Sequence, residues 1–197
     1  MERKAEINRK TAETDISISI NLDGRGKSNI DTGIGFFDHM LILFSRHSFS
    51  DLIIKASGDL NVDAHHTVED TGIVLGQAIK QALGNKAGIS RYGSACIPMD
   101  EALAMAAIDL GGRPYLVFDM ELPSGGKTGE MDNELVEEFF RALANAAGLN
   151  LHIRVYYGNS AHHMIEAAFK AFARAFASAS KLDDRVEGIL STKGILT

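Results

Sequence analysis

Two near-copies of one short pattern hold most of the chemistry-bearing residues of this chain. The first is Ala64-His65-His66-Thr67-Val68-Glu69-Asp70, and the second is Ala161-His162-His163-Met164-Ile165-Glu166. Of seven histidines in 197 residues, four stand in these two doublets, so composition alone does not account for the repetition. On a helix the first His and the Glu are i,i+4 neighbours on one face, and the second His is i,i+3 from the Glu. Adjacent imidazoles diverge by about 100°, so one doublet aims at two places. A pair of divalent cations is the natural reader of that geometry. Asp63 is placed to cap the first of these helices.

The elements that position the doublets repeat as well. Residues 14–22 alternate strictly with period two, the mark of a half-buried strand. Residues 3–12 and 27–31 flank them as further strands, followed by an apolar helix at 36–44, a strand at 51–56 and a helix at 64–84. The second half runs through strands at 89–98, 101–110 and 114–120, a helix at 132–147, a strand at 150–155 and a helix at 161–181. The strand at 101–110 is weakly signalled, because Ala is a poor strand former. The expected fold is α+β, a two-layer α/β sandwich of duplicated βββαβα halves: one domain over 1–197, with repeats at about 1–88 and 89–182 and a tail at 183–197.

The duplication supplies a register. Asp51-Leu52-Ile53-Ile54-Lys55 and Asn150-Leu151-His152-Ile153-Arg154 are 99 residues apart, the doublets 97. Carrying 99 back to the earlier helix pairs His39 with Glu138, one metal-capable side chain with another. The candidate ligands are therefore His39, His65, His66, Glu69, Glu138, His162, His163 and Glu166. Interchange under the repeat suggests two sets: His65, Glu69, His163 and Glu138 for one ion, and His162, Glu166, His66 and His39 for the other. With no thiolate among them, mixed imidazole and carboxylate ligation suits octahedral Mn²⁺ or Fe²⁺ as well as tetrahedral Zn²⁺.

Bulk properties narrow the class. The net charge of −6 argues against a nucleic-acid surface. One cysteine, Cys96, precludes an internal disulfide framework, fits a reducing cytoplasm, and reads as a buried structural thiol because its surroundings are apolar. No apolar run approaches a membrane span, and no h-region follows the basic N-terminus.

Gly35-Phe36-Phe37-Asp38-His39-Met40-Leu41, Asp63-Ala64-His65-His66-Thr67-Val68-Glu69-Asp70 and His162-His163-x-x-Glu166-Ala-x-Phe169-Lys170-Ala171-Phe172 together resemble the imidazoleglycerol-phosphate dehydratase family of histidine biosynthesis. Arg9-Lys10-Thr11-Ala12-Glu13-Thr14 and Ser191-Thr192-Lys193-Gly194 resemble that family's two ends. The resemblance implies a ribosomal protein S5 domain 2-like fold and two Mn²⁺ ions per active site. It implies self-association into an octahedral homo-oligomer of two dozen subunits, with sites between neighbours. Many members carry His where this chain has Glu138; a glutamate still ligates Mn²⁺.

The implied substrate carries an imidazole, two hydroxyls and a phosphate. The resemblance places its contacts at Glu13, His39, His47, His65, Glu69, Arg91, Arg113, His162, Lys170, Ser191, Thr192 and Lys193, with the phosphate facing the four cations. The reaction eliminates water next to a C–H that no carbonyl acidifies. A metal-bound imidazolate could expel the hydroxyl through a diazafulvene, after which the neighbouring proton leaves and the enol becomes a ketone. Glu13 is the first candidate for acid/base work and His47 the second. The rivals are a dinuclear metallohydrolase of a phosphorylated substrate and a metal-storage shell, the latter disfavoured because storage needs no phosphate pocket.

Overall fold

In the computed structural model, which describes residues 2–122 and 125–196, the period-two stretch forms β2 (Thr14–Asn21), with Ile16, Ile18 and Ile20 facing inward and fully buried. β2 pairs antiparallel with β1 (Lys4–Lys10) on one side and with β4 (Asp51–Gly58) on the other. β3 (Ser28–Asp31) adds parallel to β4, so the strand order is β1-β2-β4-β3. Helices α1 (Gly35–Ser48) and α2 (His65–Leu83) cover the inner face of this sheet.

The second half builds the same sheet. β5 (Tyr92–Met99), β6 (Ala102–Asp109), β7 (Tyr115–Asp119) and β10 (Asn150–Tyr157) run in the order β5-β6-β10-β7, and again only the last pair is parallel. Its helices are α3 (Leu135–Ala147) and α4 (Ala161–Ser180). The duplicated α/β architecture is thus as expected, with one addition. A hairpin of two-residue strands, β8 (Lys127–Thr128) and β9 (Met131–Asp132), precedes α3, which starts at Leu135 instead of 132. No helix of the described residues is long and apolar enough to cross a membrane.

Two close approaches seat the helices. A Cβ on Gly72 would lie 2.8 Å from the Phe139 carbonyl oxygen, and one on Gly76 would lie 2.7 Å from that of Leu143. These contacts ascend together along α2 and α3, so the two helices run parallel, backbone against backbone. A Cβ on Gly93 of β5 would come within 2.1 Å of the Ala175 oxygen. Ala102, Ala104 and Ala106 of β6 are buried in the same layer. The alanines that made this strand faint in the sequence are there because α4 lies so close to it.

α1 pairs with α4 and α2 with α3, each pair joining one half to the other. Between them runs an aromatic seam. Phe37 meets Phe139 edge-on at 5.2 Å, Phe139 stacks on Phe169 at 5.5 Å, and Phe44 stacks on Phe172 at 5.3 Å. All of these rings are fully buried. The tail folds back on the junction between the repeats: Asp183 N–H donates to the Gly88 carbonyl, and Ile89 bridges to Leu182.

One expectation is overturned. Cys96 is exposed. In Ala95-Cys96-Ile97 all three side chains are apolar, so the sequence does not reveal the parity of the strand. The close fit of Gly93 under α4 sets it: Ala95, Ile97 and Met99 share the inner face, and Cys96 points outward. The outer faces of the two sheets also differ. The first carries Glu6, Asn8, Lys10, Ser17, Ser19, Lys55 and Ser57 around one exposed apolar residue, Ile53, whereas the second carries Tyr92, Cys96, Pro98, Leu103, Met105, Ala107, Val117 and Tyr156 interspersed with Ser94, His152 and an Arg154–Asp119 pair.

Candidate metal centre

The doublets open their helices as the pattern requires, each beside a side chain that accepts an N–H of its first turn. Ser160 at the N-cap of α4 accepts the His163 N–H. On α2 the N-cap position itself is Ala64; Asp63, one residue earlier, accepts the His65 N–H at 2.8 Å. Asp63 therefore satisfies one of the free N–H groups of the first turn without occupying the N-cap.

His39 of α1 and His162 and Glu166 of α4 converge, their ligand atoms all within 4.8 Å of one another. Glu166 Oε2 stands 3.3 Å from His39 Nε2 and 3.2 Å from His162 Nε2. Glu166 is buried, and its other oxygen pairs with Lys170 Nζ at 2.6 Å. Burial alone would raise this carboxyl, but Lys170 and His39 outweigh it and hold the pKa below the usual glutamate range. Phe36 stands edge-on to His162 at 5.1 Å and limits where that ring sits. The residues present fit a divalent cation: two imidazole nitrogens and a carboxylate oxygen kept ionised, with no thiolate.

The second helix pair carries the equivalent residues. His65 Nε2 lies 4.0 Å from Glu69 Oε2 in the first turns of α2. The parallel α2–α3 packing places Glu138, in the first turn of α3, at the same end, where its nearest charged partner is Arg141 at 3.7 Å. Among the described residues, no ion pair joins His163 to Glu69 or Glu138, or His66 to Glu166. Within one chain the second histidine of each doublet points elsewhere. His66 Nδ1 meets Asp59 at 3.0 Å, and His163 Nδ1 meets Glu101 at 2.6 Å. These contacts raise both imidazole pKa values, and His163 draws the Glu101 carboxyl down to about 2. Asp59 and Glu101 are absent from the sequence-based set; Glu101 reaches His163 across 62 residues of chain, which no local spacing signals.

Glu13 Oε1 lies 3.9 Å from His66 Nε2. His47, two turns beyond His39 on α1, has its pKa lowered by burial, with Lys170 and Arg174 adding to the effect, so its ring is neutral at physiological pH.

The expected phosphate residues divide. Arg91, Arg113, Ser191, Thr192 and Lys193 line one cleft of about 800 Å³, together with Arg185. Arg91 is held there by a bidentate pair with Asp109 at 2.7 and 3.0 Å and donates to the Leu190 carbonyl, which ties the tail to the cleft. Lys193 N–H donates to Ser191 Oγ, and Gly194 N–H to the Ser191 carbonyl, closing the expected turn. Arg185 was not singled out by sequence; its guanidinium is paired with Asp183. Lys170 belongs to the Glu166 cluster instead. Arg91 N–H donates to Ala179 O, at the far end of α4 from Glu166. At ~1.5 Å per residue, the cleft and the cluster are about 20 Å apart along that helix.

The fold and the cluster define a class: a duplicated α/β enzyme whose imidazole and carboxylate donors suit a divalent cation. A family model described as imidazoleglycerol-phosphate dehydratase matches residues 32–176. The chain belongs to that family and is a hydro-lyase. It is 65% identical to the imidazoleglycerol-phosphate dehydratase of Acetivibrio thermocellus over 196 residues, covering 100% of both chains. It is 58% identical to that of Clostridium kluyveri over 194 residues, covering 98% of this chain and 100% of the relative. Among solved structures, the enzyme from Staphylococcus aureus superposes with a TM-score of 0.82 at 44% identity, covering 91% of this chain and 99% of that one. The Pyrococcus furiosus enzyme, solved in complex with (S)-C348, gives 0.78 at 36% identity, covering 96% and 100%.

Proposed function

We propose that this chain converts D-erythro-imidazole glycerol phosphate to imidazole acetol phosphate in histidine biosynthesis, working in the cytoplasm with two Mn²⁺ ions per active site. The observation that carries the reading is the buried Glu166 carboxylate set between the Nε2 atoms of His39 and His162. His39, His162 and Glu166 would hold one cation, and His65, Glu69 and Glu138 the equivalent one. His66 and His163 would complete the two shells. When bound, the cations supply Lewis acidity toward the substrate's ring and hydroxyl.

The chain's own residues do the rest. Arg113 and Lys193 bind the phosphate electrostatically, with Ser191 and Thr192 adding donors, while Arg91 shapes the cleft wall through Asp109. Lys170 keeps Glu166 ionised. Glu13, facing His66, is positioned to take the carbon-bound proton, and His47, neutral and beside Lys170, is the second candidate. Loss of the hydroxyl from the carbon beside the ring and of the proton from its neighbour leaves an enol, which becomes the ketone.

Because cluster and cleft lie about 20 Å apart in one chain, and the small substrate must touch both, we read the working site as shared between copies. The outer face of the second sheet is the more apolar of the two, which supports self-association through that face. A large octahedral homo-oligomer of this one-domain, two-repeat subunit is the proposed form. Supplying imidazole glycerol phosphate and following imidazole acetol phosphate tests the reaction. Product formation that a chelator abolishes and Mn²⁺ restores is expected. No product from Mn²⁺-loaded protein refutes the reading.

A further inference from the structure

The second histidine of each doublet has a carboxylate on its Nδ1. Asp59 offers both oxygens to His66 Nδ1, at 3.0 and 3.2 Å, and Glu101 offers one to His163 Nδ1 at 2.6 Å. An ionised carboxylate only accepts, so each Nδ1 carries a hydrogen, and in the neutral ring each Nε2 keeps its lone pair. The two imidazoles are thus in the same tautomer and held from the same side.

The duplication did not produce this likeness. Asp59 lies just after β4, and adding the repeat offset of 97–99 lands on Tyr156, Tyr157 or Gly158. Glu101 lies in the turn between β5 and β6, whose counterpart is the turn between β1 and β2; aligning β6 with β2 places Glu101 on Glu13, which stands 3.9 Å from His66 Nε2 and not on its Nδ1. The same contact has been built twice from unrelated elements, which local packing of one element does not explain. Glu101 also fastens the entry to α4, accepting the N–H groups of Asn159 and Ser160. Among the described residues, the Asp59 carboxylate has no hydrogen bond besides those to His66.

We propose that Asp59 and Glu101 are positioning residues that fix the tautomer and ring orientation of His66 and His163, so that Nε2 of each is presented to a divalent cation. This rests on the two-cation reading above. A carboxylate on the distal nitrogen orients the ring and raises its basicity as a ligand, and its loss weakens metal binding by about 10- to 100-fold.

The test is calorimetric titration of Mn²⁺ into the metal-free full-length protein, with Asp59→Ala and Asp59→Asn as the variants. Asp59→Ala should bind one class of Mn²⁺ about 10- to 100-fold more weakly, with an unchanged melting temperature in the metal-free state. Asp59→Asn should lose less, because the amide oxygen still accepts the Nδ1–H but brings no charge. Glu101→Gln should weaken the other class and also lower the melting temperature, because it loosens the start of α4. Wild-type protein that binds Mn²⁺, with variants that bind it equally tightly, overturns the positioning role alone. Wild-type protein that binds no Mn²⁺ overturns the two-cation reading and this proposal with it.

Discussion

Replacing Gly93 with alanine tests whether the close seating of α4 on β5 is a structural requirement. The new methyl carbon would stand 2.1 Å from the Ala175 oxygen, 2.6 Å from the Ala179 nitrogen and 3.1 Å from the Ala175 carbonyl carbon. All three are backbone atoms, so no side-chain rotation relieves the clash, and strand and helix must separate by about 1 Å to restore van der Waals distance. Overpacking of this kind costs about 1–3 kcal/mol. At roughly 2–4 °C per kcal/mol for a chain of this size, the melting temperature should fall by about 3–10 °C. Calorimetric scans at fixed protein concentration would measure it, because the proposed self-association would make apparent stability concentration-dependent. Gly35→Ala is the control: its added carbon meets nothing within 4 Å in the first turn of α1, and alanine favours a helix. Equal melting temperatures for Gly93→Ala and wild type would refute the account of α4 packing.

Asp51 Oδ1 accepts the N–H groups of Arg25 and Lys27 at 2.8 and 2.9 Å, and these bonds lower its pKa. Its contribution is therefore full above the unfolded value of about 3.9 and disappears as pH falls through the lower folded value. Asp51→Ala should lower the melting temperature at neutral pH and flatten its decline in that acidic window; an unchanged acid limb would contradict this. Met105→Lys, on the more apolar outer face, that of the second sheet, should reduce the assembled mass seen by sedimentation, whereas Ser17→Lys on the first sheet should not. Glu13→Gln should retain Mn²⁺ content by elemental analysis while turnover falls sharply, and full activity would remove Glu13 from acid/base work. Lys193→Ala should chiefly raise KM with kcat little changed, as expected for a phosphate contact made before and during the reaction.

How much of this was legible depended on how local the signal was. The alternation at 14–22 and the doublets at the starts of α2 and α4 are short-range patterns, and both reappear as elements of the fold. The 99-residue register was longer-ranged but still readable, because duplication writes a spatial relation into sequence. It matched His39 with Glu138, and both lie near the starts of their helices. The β8–β9 hairpin escaped notice because two-residue strands have no period. Cys96 faced the wrong way because Ala95-Cys96-Ile97 carries no polar mark of its outer face. Asp59 and Glu101 were missed because their chemistry is conferred by what the topology folds beside them.

The aromatic seam has a consequence for how the halves depend on each other. Phe37 and Phe44 come from the first repeat, and the rings they touch, Phe139, Phe172 and Phe176, come from the second. Severed at the junction near residue 88, neither fragment could bury its share of these rings alone. The two fragments mixed should recover one fold by complementation. A half-length ancestor of the repeat would have been an obligate dimer, and joining the two copies in one chain made that partnership permanent.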